Sequence, residues 1–368
     1  MSLTRNLISR RDFLTAAGVS FIASLAPAQA SQINRSEALF AAAYRDRSGG
    51  YGFALMAEDG RIVMQHALPV RGHDIVCHRE TGNAVVFSRR PGTIAAAFNV
   101  RENRPPQSIQ AAPDRHYFGH GVFSADGRLL YATENDFANA NGMIGVYDVR
   151  HHFSKIGEFP SGGIGPHDLM MLADGRTLAI ANGGIETHPD FGRAKLNLAT
   201  MEPCLCFVDS VHGTLTEKQA LPPSLHQLSI RHLDCDGAGG VYFACQHEGS
   251  PREQPPLFGH AQPGKSVRLF QTDPAHLKTL RNYVGSITAN PQNGTFAVTS
   301  PRGNTMMVLD GQSGNIVHQR SLANVCGLTV NRGHFVASTG NGTLFDAQTE
   351  ASSTGPYGWD NHLLNISG

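Results

Sequence analysis

The sequence predicts an all-β fold, a seven-bladed β-propeller whose ring is closed by its own C-terminal strand. Three observations lead there. First, a short phrase recurs at Gly72-His73-Asp74-Ile75-Val76, Gly119-His120-Gly121-Val122-Phe123, Pro166-His167-Asp168-Leu169-Met170 and Arg231-His232-Leu233-Asp234-Cys235. His73, His120 and His167 are spaced by 47 residues each time. A fixed period of that size marks a repeat architecture, and strand-only repeats of that length build propeller blades. Second, each copy runs into a turn and then another apolar strand, and 40 glycines suit many short strands joined tightly. Third, the chain starts without an inner strand and ends on a strand without a hairpin partner.

The elements follow in chain order. Ser9-Arg10-Arg11-Asp12-Phe13-Leu14 fits the twin-arginine export pattern, Ala16 to Ala26 is weakly apolar, and Ala28-Gln29-Ala30 is a small-residue cleavage site. Residues 1–30 are therefore expected to be a signal peptide cleaved after Ala30, and residues 31–368 a single propeller in the periplasm. Cleavage removes Arg5, Arg10, Arg11 and Asp12, which takes the net charge from 0 to −2. No basic excess remains to neutralise phosphates, so nucleic acid is not an expected partner. No later run approaches 18 unbroken apolar residues, so no transmembrane segment is expected in the mature chain.

Residues 38–69 supply three strands: Ala38–Tyr44, Gly52–Ala57 and Arg61–Leu68. Asp126-Gly127, Asp174-Gly175, Asp236-Gly237 and Asn293-Gly294 each sit between apolar runs, a strong hairpin signal. Third strands follow at Gly142–Asp148 and Cys204–Asp209, and two blades without histidine open at Gly285-Ser286 and Gly327-Leu328. The segment Gly358-Trp359-Asp360-Asn361-His362-Leu363-Leu364-Asn365-Ile366 again carries histidine before an apolar run. It is expected to pair with residues 38–44 as the missing inner strand, which removes both open sheet edges. The other arrangement makes it the outer strand of the last blade.

Up–down alternation puts the start of each inner strand and the loop after each second strand on one face. His73, His120, His167, His232 and His362 are thus expected to ring the channel mouth, contributed by five consecutive blades. Converging neutral imidazoles suit iron, copper or zinc better than calcium or magnesium, and Asp74 and Asp168 stand where they can orient imidazoles from behind. The other reading makes the histidines a polar lining of a wide channel, each bonded to water or backbone. The glycines at 285 and 327 are expected to leave room for a ligand.

The loops around the mouth carry the candidate ligand-binding residues: Arg89, Glu134, Asn135, Asp136, Asn182, Glu186, His188, Asp190, Arg193, Lys195, Asn197, Gln246, His247 and Glu248. Two insertions, Gly183–Asn197 and the Pro-rich Gly249–Gly264, are expected to form a lid or rim here. Catalytic residues cannot be named: no H-E-x-x-H, G-x-S-x-G or P-loop pattern occurs, and Gly162–Pro166 precedes a strand rather than a helix. The six cysteines lack C-x-x-C spacing and read as buried free thiols, with Cys204 and Cys206 facing one side of a strand.

Tyr131–Asp136, Gly165–Leu169, Ala181–Ile185 with Thr187–Asp190, Ser229–Leu233 and Trp359–Leu363 resemble the bacterial family called domain of unknown function 1513. The resemblance covers nearly the whole mature chain. It implies a seven-bladed propeller of the YVTN/WD40-like kind and twin-arginine export. Members tend to be encoded near imelysin-type iron-uptake proteins and a di-haem oxidoreductase-like protein, which implies a role in periplasmic iron handling and partners among those proteins. The family has no established catalytic residues to carry over, and the Cys204/Cys206 pair departs from its apolar pattern. Two functions stay open: a propeller that binds a ligand or partner on its histidine face, or a metal-dependent hydrolase or oxidoreductase using the same face.

Overall fold

The computed structural model describes residues 38–367; the export motif and the cleavage site after Ala30 lie outside the described residues. Seven antiparallel sheets make the ring. Blades 2, 3 and 4 run from Gly72–Cys77 to Gln107–Gln110, Arg115–Phe123 to Ser154–Pro160 and Pro166–Met171 to Thr214–Ala220. Blades 5, 6 and 7 run from Leu228–Cys235 to Arg268–Leu269, Ser286–Asn290 to Ile316–Ser321 and Val325–Asn331 to Ser352–Thr354. Inner strands contact one another in that order around the channel.

Blade 1 joins the two ends. Leu39–Arg45, Tyr51–Ala57 and Ile62–Leu68 pair in sequence, and the C-terminal segment adds the inner edge. Tyr44 pairs with Trp359, and Phe40 with Asn365, so the ring closes as the orphan strand predicts. The closing strand is broken in two, Gly358–Trp359 and Leu364–Asn365. The break falls on Asp360–Leu363, and it matters below.

The middle strands are covered on both faces by neighbouring blades. Their sequences are therefore continuous apolar runs, such as Ala84–Phe87 and Leu178–Ala181, each residue at most 1% exposed. The outer strands face solvent, as Ser154–Pro160 does, where no residue is fully buried. The Asp-Gly hairpins behave as their chemistry requires: Gly127 and Gly175 both take φ +67°, and Asp126 and Asp174 accept hydrogen bonds from Arg128 N and Arg176 N.

Two details differ from expectation. The stretch Gly249–Gly264 is not all insertion, because Phe258–Ala261 is the third strand of blade 5. Its short apolar core is hidden among prolines and glycines, yet Phe258 is fully buried against Phe296. A six-residue helix, Pro274–Thr279, leads into blade 6; Asp273 caps it by accepting from Ala275 N, and Leu277 anchors it. All six cysteines are free, and the sulfurs of Cys204 and Cys206 lie 3.9 Å apart on one side of their strand.

Candidate metal centre

Each of the five histidines sits where its inner strand departs from regular pairing. Register shifts fall between Gly72 and Ile75 in blade 2 and between Tyr117 and Gly121 in blade 3. They recur between Pro166 and Asp168 in blade 4 and between Ile230 and His232 in blade 5. In blade 1 the break in the closing strand holds His362. A bulge frees a residue from the ladder and re-aims its side chain. In blades 2, 3 and 4 the histidine lies inside the shift, whereas in blade 5 the skipped residue is Arg231 and His232 itself pairs with Ala244. Gly119 makes the shift possible in blade 3, because it takes φ +112° and a Cβ there would stand 2.8 Å from His73 Cδ2.

The imidazoles converge. His120 is central, with ring centroids 5.0, 4.8, 5.6 and 4.8 Å from those of His73, His167, His232 and His362. Two triads share it, His73/His120/His362 and His120/His167/His232, and within each triad the nearest ring nitrogens lie within 4.8 Å of one another. Nitrogens around a tetrahedral ion with bonds of about 2.0–2.1 Å are roughly 3.4 Å apart, so small ring rotations would close either triad. Both triads use His120. Its Nδ1 faces carboxylates, so Nε2 is its one nitrogen left to offer an ion.

Those carboxylates orient the ring. Asp74 Oδ2 is 3.2 Å and Asp168 Oδ1 3.5 Å from His120 Nδ1. Each aspartate is itself fixed: Asp74 accepts from Ile75 N, and Asp168 accepts from Leu169 N and Leu233 N. Both therefore grip His120 rather than the histidine next to them in sequence. Asp360 does the same for His73, at 3.2 Å from Nδ1. A carboxylate on Nδ1 sets the tautomer and turns the Nε2 lone pair inward, as in imidazole–metal sites. His120 Nε2, His362 Nε2 and His232 Nδ1 are buried without a hydrogen-bond partner among the described residues. An orphaned buried polar atom costs about 1–3 kcal/mol, and coordination would relieve it.

Burial decides the protonation of the cluster. Desolvation pushes His73 down to about 4 and drives His167, His232 and His362 well below the ordinary imidazole range. These four are neutral at neutral pH and present lone pairs. His120 is the exception: burial would lower it, but Asp168 and Asp74 outweigh that and raise it. Burial raises Asp168 to about 6, whereas the hydrogen bond and charges of the imidazoles overcome burial to hold Asp74 at about 2. The two carboxylates favour a proton on His120 Nδ1, which leaves Nε2 to face an ion.

Above the ring opens a cavity of about 210 Å³, into which His73, His167 and His232 project. Its walls carry Arg89, Arg90, Arg193, Lys195, Arg231 and Arg302 against one carboxylate, Glu248. Glu248 pairs with Lys195 and lies 3.3 Å from Arg231. Blade 4's insertion is thereby tied across the mouth to blade 5.

The comparisons with known proteins fall on this same framework. The profile of the family described as Protein of unknown function (DUF1513) matches residues 66–366. The chain belongs to that family. Hydrazine synthase from Kuenenia stuttgartiensis is 13% identical with a TM-score of 0.60, over 85% of this chain and 94% of that one. A functionally unknown protein from Desulfotomaculum acetoxidans is 12% identical with a TM-score of 0.58, over 89% and 98%. At such identity these likenesses show the fold alone. No curated protein matches the sequence.

Within this DUF1513 member the loop residues picked from sequence divide into three sets. Arg89, Arg193, Lys195, Gln246, His247 and Glu248 line the cavity. Glu134, Asn135, Asp136, Asn182 and Asn197 are engaged inside the fold instead. Glu134 accepts from Tyr147 and from Lys155; Asn135 donates to Thr187 O; Asp136 lies 3.3 Å from Arg115. Asn182 accepts from Ser161, and Asn197 pins the insertion through Glu186 N and Gly184 O. Glu186, His188 and Asp190 sit on the insertion away from the cavity wall, with His188 packed on Phe137.

The two glycines do not open a passage. A Cβ at Gly327 would stand 2.8 Å from the backbone of both His362 and Leu363, and one at Gly285 would meet Pro301 at 2.8 Å. Gly327 makes room for the closing strand, not for a ligand. Two contributors escaped sequence reading: Asp360 and Arg231. Asp360 stands two residues before a ring histidine and Arg231 one before, so a search of the flanks of each repeat would have found them.

Proposed function

We propose that this propeller binds one transition-metal ion (iron, copper or zinc) at its mouth, through His120 Nε2 and imidazoles of one adjoining triad. One observation carries the reading: three ring nitrogens of a five-imidazole cluster are buried without partners, while carboxylates lock the Nδ1 side of His120 and His73. Neutral nitrogen donors suit these metals. The twin-arginine motif supports loading of a folded protein before export to the periplasm, and the family's resemblance-based association supports a partner in iron uptake.

The carboxylates favour binding over a metal-dependent hydrolase or oxidoreductase. Asp74 and Asp168 are committed to His120, Asp360 to His73 and Arg71, and Glu248 to Lys195 and Arg231. None stands free to move a proton.

The test is metal content by mass spectrometry after purification without chelators. One ion per chain is expected, lost in His120→Ala and kept in His151→Ala, whose exposed imidazole pairs only with Asp148. A protein that carries no ion and takes up none from stoichiometric zinc, copper or iron overturns the proposal.

A further inference from the structure

The cavity over the ring has more positive charge than the fold needs. Arg89, Arg90, Arg193 and Arg302 form no ion pair among the described residues, and Arg302 lies over the Tyr283 ring at 4.2 Å. Arg231 is 4% exposed; it donates to His167 Nδ1 at 3.4 Å and to Glu248, yet its buried Nε has no partner. Burial and the charges of Arg231 and Arg193 disfavour the Arg90 guanidinium, and burial likewise disfavours that of Arg89. Arginine keeps its proton in proteins, so such crowding persists, offset only in part by the charges of Asp360 on Arg89 and Glu248 on Arg90. A guanidinium presents a planar fork of donors matched to a two-oxygen anion.

We propose that this cavity binds a small oxyanion carrying at least two negative charges, held by Arg89, Arg90, Arg193 and Arg231 directly above the imidazole ring. Six cations against one carboxylate set the charge of the ligand, and about 210 Å³ sets its size. The cavity is below the usual range of drug-sized pockets, so the guest is a compact di- or tricarboxylate or a pyrophosphate rather than a polymer. Because His73, His167 and His232 form the floor, an oxygen of the anion would face the metal. That last part rests on the metal reading; the anion site itself does not.

Titration calorimetry on chelator-stripped protein separates the two claims. Citrate, malonate and pyrophosphate are the probes, and acetate is the monovalent control. Citrate or malonate binding best assigns carboxylates; pyrophosphate binding best assigns phosphates. At least one of them is expected to bind tenfold or more tighter than acetate, with an affinity that falls as salt rises. Arg90→Ala is expected to weaken binding at least tenfold without changing the metal content. Should Arg90→Ala fold poorly, Arg193→Ala on the exposed insertion serves instead. Equal affinity for acetate, no binding of any probe, or unchanged affinity in both variants overturns the oxyanion site. Metal-loaded protein is expected to bind the same anion tighter still. If only that enhancement is missing, the oxyanion site stands and its link to the metal falls.

Discussion

Trp359 is the only tryptophan in the chain, and it sits in the strand that closes the ring. It is 4% exposed, edge-on to Tyr44 at 6.5 Å and to Tyr357 at 5.9 Å. Replacing a buried Trp by Ala costs about 3–5 kcal/mol. Unfolding entropy is about 2.1 cal/mol/K per residue, or roughly 0.7 kcal/mol/K for the roughly 330 residues of the ring. Trp359→Ala should therefore lower Tm by about 4–7 °C. Deleting residues 358–368 also removes buried Leu363 and Ile366. At about 2–5 kcal/mol each in addition, that loss rivals the whole stability of a typical fold and leaves the Leu39–Arg45 edge open. The deletion should give no cooperative melt and should aggregate. Calorimetry measures both variants, and Val317→Ala, on an outer strand with Val317 65% exposed, should melt like the parent. Tryptophan fluorescence in the parent should change together with the far-UV signal. A truncated chain with an unchanged Tm, or a fluorescence transition that clearly precedes loss of strand structure, would refute closure by this segment.

Other outcomes follow from single residues. Asp74→Asn removes one of the two carboxylates on His120 Nδ1 and should weaken metal binding about 10–100-fold, read by competition with a chelating dye, with little change in fold. Gly119→Ala forces a left-handed residue and a Cβ into His73; about 1–3 kcal/mol of destabilisation and weaker metal binding are expected, and a variant equal to the parent in both would show that His73 is not held this way. The hydrogen bond from Arg115, and then Lys155, hold Glu158 down at about 2 against an ordinary 4.5, so its contribution is complete above that value and is lost as pH falls toward 2. Glu158→Gln should flatten Tm against pH across this acid window; an identical slope would show that the pair contributes nothing.

The ring was readable because propeller repeats state themselves several times. The 47-residue spacing and the Asp-Gly turns state the blades, and the orphan C-terminal strand left two arrangements, of which its pairing with Leu39–Arg45 selects closure on seven blades. The convergence of the histidines was also implied by period, since equivalent positions in a ring face one axis. The means of convergence was not: a bulge is a one-residue change in pairing, and nothing in Gly-His-Asp announces it. Asp74 and Asp168 reach His120 across blade boundaries, which sequence adjacency pointed away from. The loop acids misled because Glu134 and Asp136 end a middle strand in a polar cluster with Tyr147, Lys155 and Arg115, and a buried network and a ligand rim share one composition. Gly327 misled for a related reason, since the space it leaves is filled by backbone from the far end of the chain.

X-ray absorption at the K edge of the bound metal tests the central claim most directly. With zinc loaded at one equivalent, three or more imidazole nitrogens at about 2.0–2.1 Å are expected, with the multiple scattering of intact rings. The same spectrum of His120→Ala should lose that shell. Sulfur at about 2.3 Å would move the metal to Cys204 and Cys206, and a shell of oxygens without imidazole scattering would leave the histidine ring as channel lining; either result contradicts the proposed centre.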